Sequence, residues 1–357
     1  MATRQGKTAG MTTRVLRVNK TKPDRGSIDM AARLLRAGEL VAFPTETVYG
    51  LGANGLRETA IKKIFIAKDR PADNPLILHL GYKKDIERYG RNVSAAAKKL
   101  IKEFWPGPLT VIVRKKKMIP GIVSGGLPTV ALRMPDNKIA LSLIRKAGVP
   151  VAAPSANVSG KPSPTTAQHV YNDMYGKIEL ILDGGKTDVG IESTIVDCSV
   201  EPPLLLRPGR ISRRQIERVI GIVEIYVYNN QSDTQKPQSP GLKYRHYAPN
   251  AKLILVEGQP AAIKATIDAL IRQYRAQKKR IGILAFFPGH GYSIRKNETL
   301  VNLGLQSRRV GRRLFSTLRY FDERASDVII AESFPAHDHA IANRLRKAAS
   351  EIIIAQH

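Results

Sequence analysis

One cysteine among 357 residues, Cys198, has nothing to pair with. An intramolecular disulfide is therefore excluded, and a reducing, cytoplasmic location is the expectation. No apolar run approaches the roughly 18 to 20 residues that a membrane-spanning helix needs, so no membrane partner is expected. Acidic side chains are scarce: 30 Asp and Glu stand against 58 Lys and Arg, a formal net charge of +28, with pI ≈ 10.3. That balance predicts attraction to polyanions such as RNA, nucleotides or acidic lipid. Its basic runs, Arg114–Lys117, Lys278–Arg280, Arg308–Arg309 and Arg312–Arg313, are scattered and form no single arm. Motifs are missing too. There is no zinc-ligand spacing and no GxSxG elbow, and His337–Asp338–His339 has no further ligands nearby in sequence. Gly185-Lys186-Thr187 imitates the tail of a phosphate-binding P-loop, but position 180 is Leu where that motif needs Gly.

Length argues for two domains, each with its own core. Residues 1–26 are basic and nearly acid-free and lack the apolar centre of a secretory signal, so a short disordered start is expected there, a transit peptide being the alternative. Residues 27–228 make a first domain and 229–250 a linker that opens on the polar, proline-punctuated NNQSDTQKPQSPG. The linker closes on LKYRHYAPN, whose two tyrosines, histidine and cations are too specific for a spacer. Residues 251–357 alternate apolar strands with helices, KLILVEG, Pro260–Gln277, RIGILAF, TLVNLG, Arg309–Glu323, DVIIAE, Ala340–Ala349 and EIIIA. This order predicts a small parallel doubly wound α/β sheet, and without GxGxxG no dinucleotide is assigned to it.

Within the first domain, Gly148–Thr166 is the organising stretch. A buried strand over Val149–Ala153 gives way to a loop stiffened by Pro154, Pro162 and Pro164. Ser155, Asn157, Ser159, Lys161 and Ser163 there offer hydroxyls, an amide and a cation suited to phosphate oxygens, although an ordinary surface loop has the same letters. Helical spacing over Ile28–Ala37 leads into a strand over Leu40–Phe43 and then PTETVYGLG. Thr45 and Thr47 could hold a small polar ligand there, with the glycines letting backbone approach it. A helix over Ala60–Lys68 delivers Lys68 and Arg70 into KDRPADNPL, a pairing useful to a triphosphate and equally to a helix C-terminus. His79 in LILHL reads alone as a satisfied core histidine. Ser94–Phe104 reads as a helix stopped by WPGPLT, with Trp105 packed in the core, and a strand follows over Leu109–Arg114. Thr129 and Arg133 share one strand face by even spacing. An arginine facing into a sheet needs an anion, which a ligand carboxylate or an internal Asp or Glu would supply. Glu192 and Ser193 interrupt an apolar alternation, and Arg207 stands at a strand end.

In order, PTETVYGLG, KDRPADNPL, WPGPLT, RMP, PSAN with SPT, ESTI, LRPG and SPGLKYRHYAP resemble the threonylcarbamoyl-AMP synthase family in its long, two-domain form. NRLRKAAS, Asn343–Ser350, fits the family's C-terminal domain, while AHDHA stands where that domain usually carries a glycine-rich stretch. The resemblance implies a YrdC-like twisted sheet with a large concave pocket, a Rossmann-like C-terminal domain and a lid-like linker. It implies condensation of ATP, L-threonine and bicarbonate to threonylcarbamoyl-AMP and pyrophosphate, for the modification of tRNA beside the anticodon by a downstream threonylcarbamoyl transferase machinery. Carried over by motif, Lys68 and Arg70 are catalytic, and Arg70, Asn74, Ser155, Asn157, Ser163, Arg207 and Tyr244 bind ATP. Thr47, His79, Thr129, Arg133, Ala153 and Ser193 bind threonine, and Mg²⁺ is held through ATP phosphates and water. The rival reading from the net charge is a tRNA- or double-stranded-RNA-binding module without catalysis.

Overall fold

The structure, a computed structural model, describes residues 11–226, 239, 246–335 and 338–356. Among the described residues, twelve strands build the first domain's sheet: β1 (Arg14–Arg17), β2 (Val41–Pro44), β3 (Tyr49–Asn54), β4 (Ile77–His79), β5 (Gly90–Arg91), β6 (Leu109–Lys115), β7 (Thr129–Arg133), β8 (Val151–Ala152), β9 (Leu180–Asp183), β10 (Thr194–Asp197), β11 (Leu204–Arg207) and β12 (Glu224–Ile225). Their order is β1-β9-β2-β3-β8-β4-β7-β6-β10-β11-β12, with β5 added on β6. The sheet is mixed, because hairpin-like pairs such as β2 with β3 and β6 with β7 are antiparallel while β4 with β7 and β6 with β10 are parallel.

Alternation along the central strands decides where the site lies. Leu78, Val111, Leu132 and Val196 point into the main core, beneath the helices Glu58–Lys68 and Ala95–Phe104 that contribute Ile61, Ile64, Leu100 and Ile101. Their neighbours Ile77, Ile112, Ala131 and Ile195 form a smaller cluster on the opposite face. His79 and Arg133 continue that face and are direct partners across the parallel β4/β7 pair. At the other end of the sheet, Arg25–Ala37 and Lys138–Ala147 cover β2 and β9 through Ile28, Leu35, Ile139 and Leu143. Ser94 caps the helix Ala95–Phe104, its side chain accepting from the Ala97 amide, and Trp105 is buried with Nε1 donating to the Leu109 carbonyl at 2.8 Å.

Two expectations need correction. The start of the chain is not disordered up to residue 26: β1 runs parallel to β9, and the helix Arg25–Ala37 begins at an Asp24 cap. Arg14 and Arg17 are exposed, so this edge strand lacks the apolar run by which a strand is read. The strand expected over Val149–Ala153 is only Val151–Ala152, because the Pro150 carbonyl is taken by the Gly55 amide and the Ala153 amide by the Ile77 carbonyl, outside the regular ladder.

The C-terminal domain has the expected alternation. β13 (Lys252–Glu257), β14 (Ile281–Ala285), β15 (Thr299–Asn302), β16 (Val328–Glu332) and β17 (Glu351–Ile354) lie in the order β15-β14-β16-β13-β17, every pair parallel. Helices Ser307–Glu323 and His339–Ala348 pack on one face through Leu314, Leu318, Ile341 and Leu345, and that cluster takes in Val48 and Ile191 of the first domain. Helix Pro260–Ala276 packs on the other face through Ile263, Ile267 and Ile271.

Candidate active site

The loop between β2 and β3 is the tightest part of the site. Thr45 Oγ1 donates to the Val48 carbonyl at 2.7 Å and lies 2.8 Å from Thr47 Oγ1, so both hydroxyls are fixed by the turn itself. Gly52 admits no ligand. A Cβ there would stand 2.7 Å from Phe43 and 2.9 Å from Val151, so this glycine exists for packing. Thr47 then accepts from Arg133 Nη2 at 3.0 Å.

The helix Glu58–Lys68 ends at Asp69, whose left-handed backbone (φ 51°) turns the chain outward. Lys68 does not wave in solvent as a helix-end cation would. It is buried, donating from Nζ to the carbonyls of Ser155 (2.6 Å) and Asn157, and so ties the 148–166 loop to the helix. Burial, followed by the Arg70 charge, pushes its pKa well below the ordinary lysine value. Arg70 is half-buried, its Nη2 on the Pro75 carbonyl at 3.0 Å. Asn157 braces the loop from within through Nδ2 to the carbonyls of Val158 (2.8 Å) and Lys161 (2.9 Å).

These segments meet in one cavity of about 70 Å³. Lys68, Arg70, Ser155, Asn157 and Arg207 line it together with Thr47, His79, Arg133 and Ala153. Segments far apart in the chain thus converge as the motifs required. Four predicted residues stand behind this lining. Ser163 Oγ donates to Glu192 Oε1 at 2.6 Å. Ser193 Oγ lies 2.8 Å from Thr110 Oγ1 and accepts from Arg207 Nη2 at 3.2 Å. Asn74 is buried beside Arg70. Thr129 shares Arg133's face but opens β7, about 13 Å away along the strand. Tyr244 falls outside the described residues.

His79 is not a satisfied core histidine. It is buried, lines the cavity, and its Nδ1 has no hydrogen-bond partner; Asn157 Oδ1 and His246 Nε2, on the same walls, also have none. Orphaned polar atoms clustered on one lining mark a place for a polar ligand. Desolvation, with the Arg133 charge second, pushes His79 down to about 3, so it is neutral at physiological pH.

The resemblance placed a lid in the linker, but sequence reasoning did not name the residues that form it here. His246, half-buried, and Tyr247, buried, line the cavity, which explains why the concave face encloses so little space. Burial, then Glu192, pushes the Tyr247 phenol up to about 12. The peculiar composition of LKYRHYAPN was the signal available, and it pointed at the right segment without singling out these two residues. Glu192 is the only carboxylate among the described lining residues. Burial would raise its pKa, but Arg344, Arg207 and Ser163 outweigh that and hold it below the usual range. A larger cavity of about 750 Å³ opens between the domains on the far side of Pro208 and Gly209, and none of the predicted residues line it.

A cationic cavity on a twisted mixed sheet, roofed by a linker and docked to a small parallel domain, defines a two-domain α/β protein. Comparison makes the class specific. Residues 33–209 match the Sua5/YciO/YrdC family, described as "Telomere recombination", and residues 211–350 match the threonylcarbamoyl-AMP synthase C-terminal domain. Threonylcarbamoyl-AMP synthase from Pyrococcus abyssi is 47% identical over 92% of this chain and 95% of its own length, and that from Bacillus subtilis 48% over 92% and 94%. The crystal structure of P. abyssi Sua5 complexed with L-threonine superposes with a TM-score of 0.89 at 46% identity, over 96% of this chain and 99% of its own. The structure of a His/Tyr double-alanine variant of the same protein gives 0.89 at 45%, over 97% and 99%. The chain belongs to the threonylcarbamoyl-AMP synthase family and is an enzyme of that family. No helix among the described residues is long and apolar enough to cross a membrane.

Proposed function

We propose that the chain condenses L-threonine and bicarbonate with ATP, giving threonylcarbamoyl-AMP and pyrophosphate, and that the product serves tRNA modification beside the anticodon through a separate transferase. The observation that carries this reading is two groups of side chains on one cavity. Lys68 bonds the Ser155–Asn157 loop with the Arg70 charge close by and Arg207 on the same lining, while Arg133 bonds Thr47 and pairs in register with His79. The first suits a triphosphate and the second an amino acid with a small hydroxylated side chain. The relative solved with L-threonine supports threonine as a substrate.

The chemistry asks for positioning. The threonine amine and bicarbonate give a carbamate and water; a carbamate oxygen attacks the α-phosphorus, and the bond to the β-phosphate oxygen breaks to release pyrophosphate. Neither step needs a covalent enzyme intermediate, and fixed cations around the phosphates supply charge neutralisation in a water-poor site. Lys68 already spends two ammonium hydrogens on loop carbonyls, and the third remains for a phosphate oxygen. A phosphate there would also favour its charged form. Arg133 is placed to share the threonine carboxylate, and Thr47 and His79 to border the rest of that substrate. Ser163 and Ser193 act from behind, through Glu192 and Arg207.

Magnesium fits as a passenger of the nucleotide. The one lining carboxylate is already bound to Ser163 and Arg344, so phosphates and water would be its ligands, and it would add charge neutralisation. About 70 Å³ is far below the roughly 300 to 1,000 Å³ of ordinary ligand pockets, so His246 and Tyr247 must swing out for ATP to enter. Their return would shield a hydrolysable mixed anhydride. Pyrophosphate release measured over a panel of amino acids tests the whole reading: it should require threonine and bicarbonate together. Release that ignores either, or RNA binding without any release, would overturn it.

A further inference from the structure

Two arginines of the C-terminal domain reach into the wall of the catalytic cavity. Arg344, fully buried in the helix His339–Ala348, pairs with Glu192, Nε to Oε2, at 3.1 Å. Its other nitrogens donate to the carbonyls of Glu192 (3.4 Å) and Pro208. It therefore staples together the chain neighbours of Ser193 and Arg207, which are themselves bonded. Arg319, buried in the helix Ser307–Glu323, donates through Nε to the Pro162 carbonyl at 3.1 Å and holds Asp173 with two nitrogens at 3.1 and 2.6 Å. Ser163 sits between the two, its backbone neighbour held by Arg319 and its hydroxyl on the carboxylate held by Arg344.

Tyr247 of the roof belongs to the same arrangement. Its ring stacks on Phe315 of the C-terminal domain, with centroids 5.0 Å apart and planes at 27°, and lies 5.9 Å from the Arg344 guanidinium. Docking two domains needs none of this. Apolar contacts from Val48 and Ile191 into the C-terminal cluster already bury the joint, and two desolvated guanidiniums are costly to keep there. Arg344 is spent on Glu192, which lines the cavity, and on Pro208, next to Arg207, while Arg319 is spent on Asp173 and on Pro162, next to Ser163.

We propose that Arg319 and Arg344 are positioning residues for the reaction, through which the C-terminal domain, without touching substrate, fixes the Pro162–Ser163 loop, Glu192 and Arg207 for the nucleotide. The inference rests on the nucleotide reading above. Gly190 offers a probe that alters no cavity side chain: its φ is +80°, and a Cβ there would meet the Gly311 carbonyl oxygen of the C-terminal domain at 2.4 Å. Gly190→Ala should therefore shift the domain off its seat.

The test is calorimetric titration of a non-hydrolysable ATP analogue and, separately, of threonine, with urea unfolding in parallel. Arg344→Met and Gly190→Ala should each weaken the analogue roughly tenfold or more, with threonine changed by less than about twofold. Arg344→Met combined with Glu192→Met restores a neutral, packed joint. Stability should return in it while nucleotide affinity stays low. Nucleotide affinity that recovers with stability, or that is unchanged in folded Arg344→Met and Gly190→Ala proteins, overturns the proposal. An unaltered chain that binds no ATP analogue defeats the proposed function first, and this inference with it.

Discussion

Arg133 and Glu46, both nearly inaccessible to solvent, face each other with Nη2 2.7 Å from Oε1. The contact is an ion pair without hydrogen-bond alignment, since neither carboxylate oxygen of Glu46 has an aligned donor. An arginine aimed into a sheet needs an anion, and the chain supplies one internally while leaving the guanidinium on the cavity wall. Glu46 thus holds the place in charge that a substrate carboxylate would share. Glu46→Gln should cost about 3 kcal/mol in urea unfolding, as expected for breaking a buried pair. The same change should tighten threonine about threefold or more, because one nearby negative charge is gone. Weaker threonine binding in the folded variant would show that Glu46 orients Arg133 and does not compete for it.

Arg70 is held by carbonyls of a partly open loop, the stronger bond being Nη2 to Pro75 at 3.0 Å. The side chain is only half-buried, so its loss removes little packing. Arg70→Ala should lower threonine-dependent pyrophosphate release at least about tenfold, the worth of one charge-assisted contact, with unfolding within about 1 kcal/mol of the parent. Unchanged release in a folded variant removes Arg70 from the mechanism.

Ser193 has two dependants, Thr110 Oγ1 at 2.8 Å and Arg207 Nη2 at 3.2 Å. Ser193→Ala removes both bonds in a buried setting, leaving Arg207 its Nε bond to the Ser193 carbonyl, and should cost about 1 to 3 kcal/mol. Because the altered group lies behind Arg207, the KM for ATP should rise with it. A loss of stability with an unaltered KM for ATP would confine Ser193 to packing.

His79 and His246 are both pushed down to about 3, chiefly by burial. Unfolding releases them to ordinary histidine values near 6.5, so between about 3 and 6.5 the unfolded chain binds more protons. Stability is then fully present above pH 6.5 and falls on acidification by about 1.4 kcal/mol per pH unit for each histidine. His79→Gln should remove one such contribution, visible as a shallower slope of urea-unfolding free energy between about pH 5 and 6. An unaltered slope would mean that His79 titrates normally in the folded protein.

Local pattern carried much of this molecule. The C-terminal order of strands and helices is written in apolar runs of two lengths, and each element formed within a few residues of its expected place. Even spacing put Arg133 and Thr129 on one face, and proline-stiffened segments marked the loops that carry Arg70 and Ser155. Such features depend only on a residue and its near neighbours, which is why they can be read in one dimension. Pairing across the fold is different. Whether Arg133 met a ligand or Glu46, whether His79 lay in the core or on a cavity wall, and which linker residues formed the roof were settled by strand register and domain docking. Arg344 finds Glu192 across 152 positions and Arg319 finds Asp173 across 146, with nothing in the letters to join them. Burial then fixed their chemistry, because a charge taken out of water is defined by whatever the completed fold brings beside it.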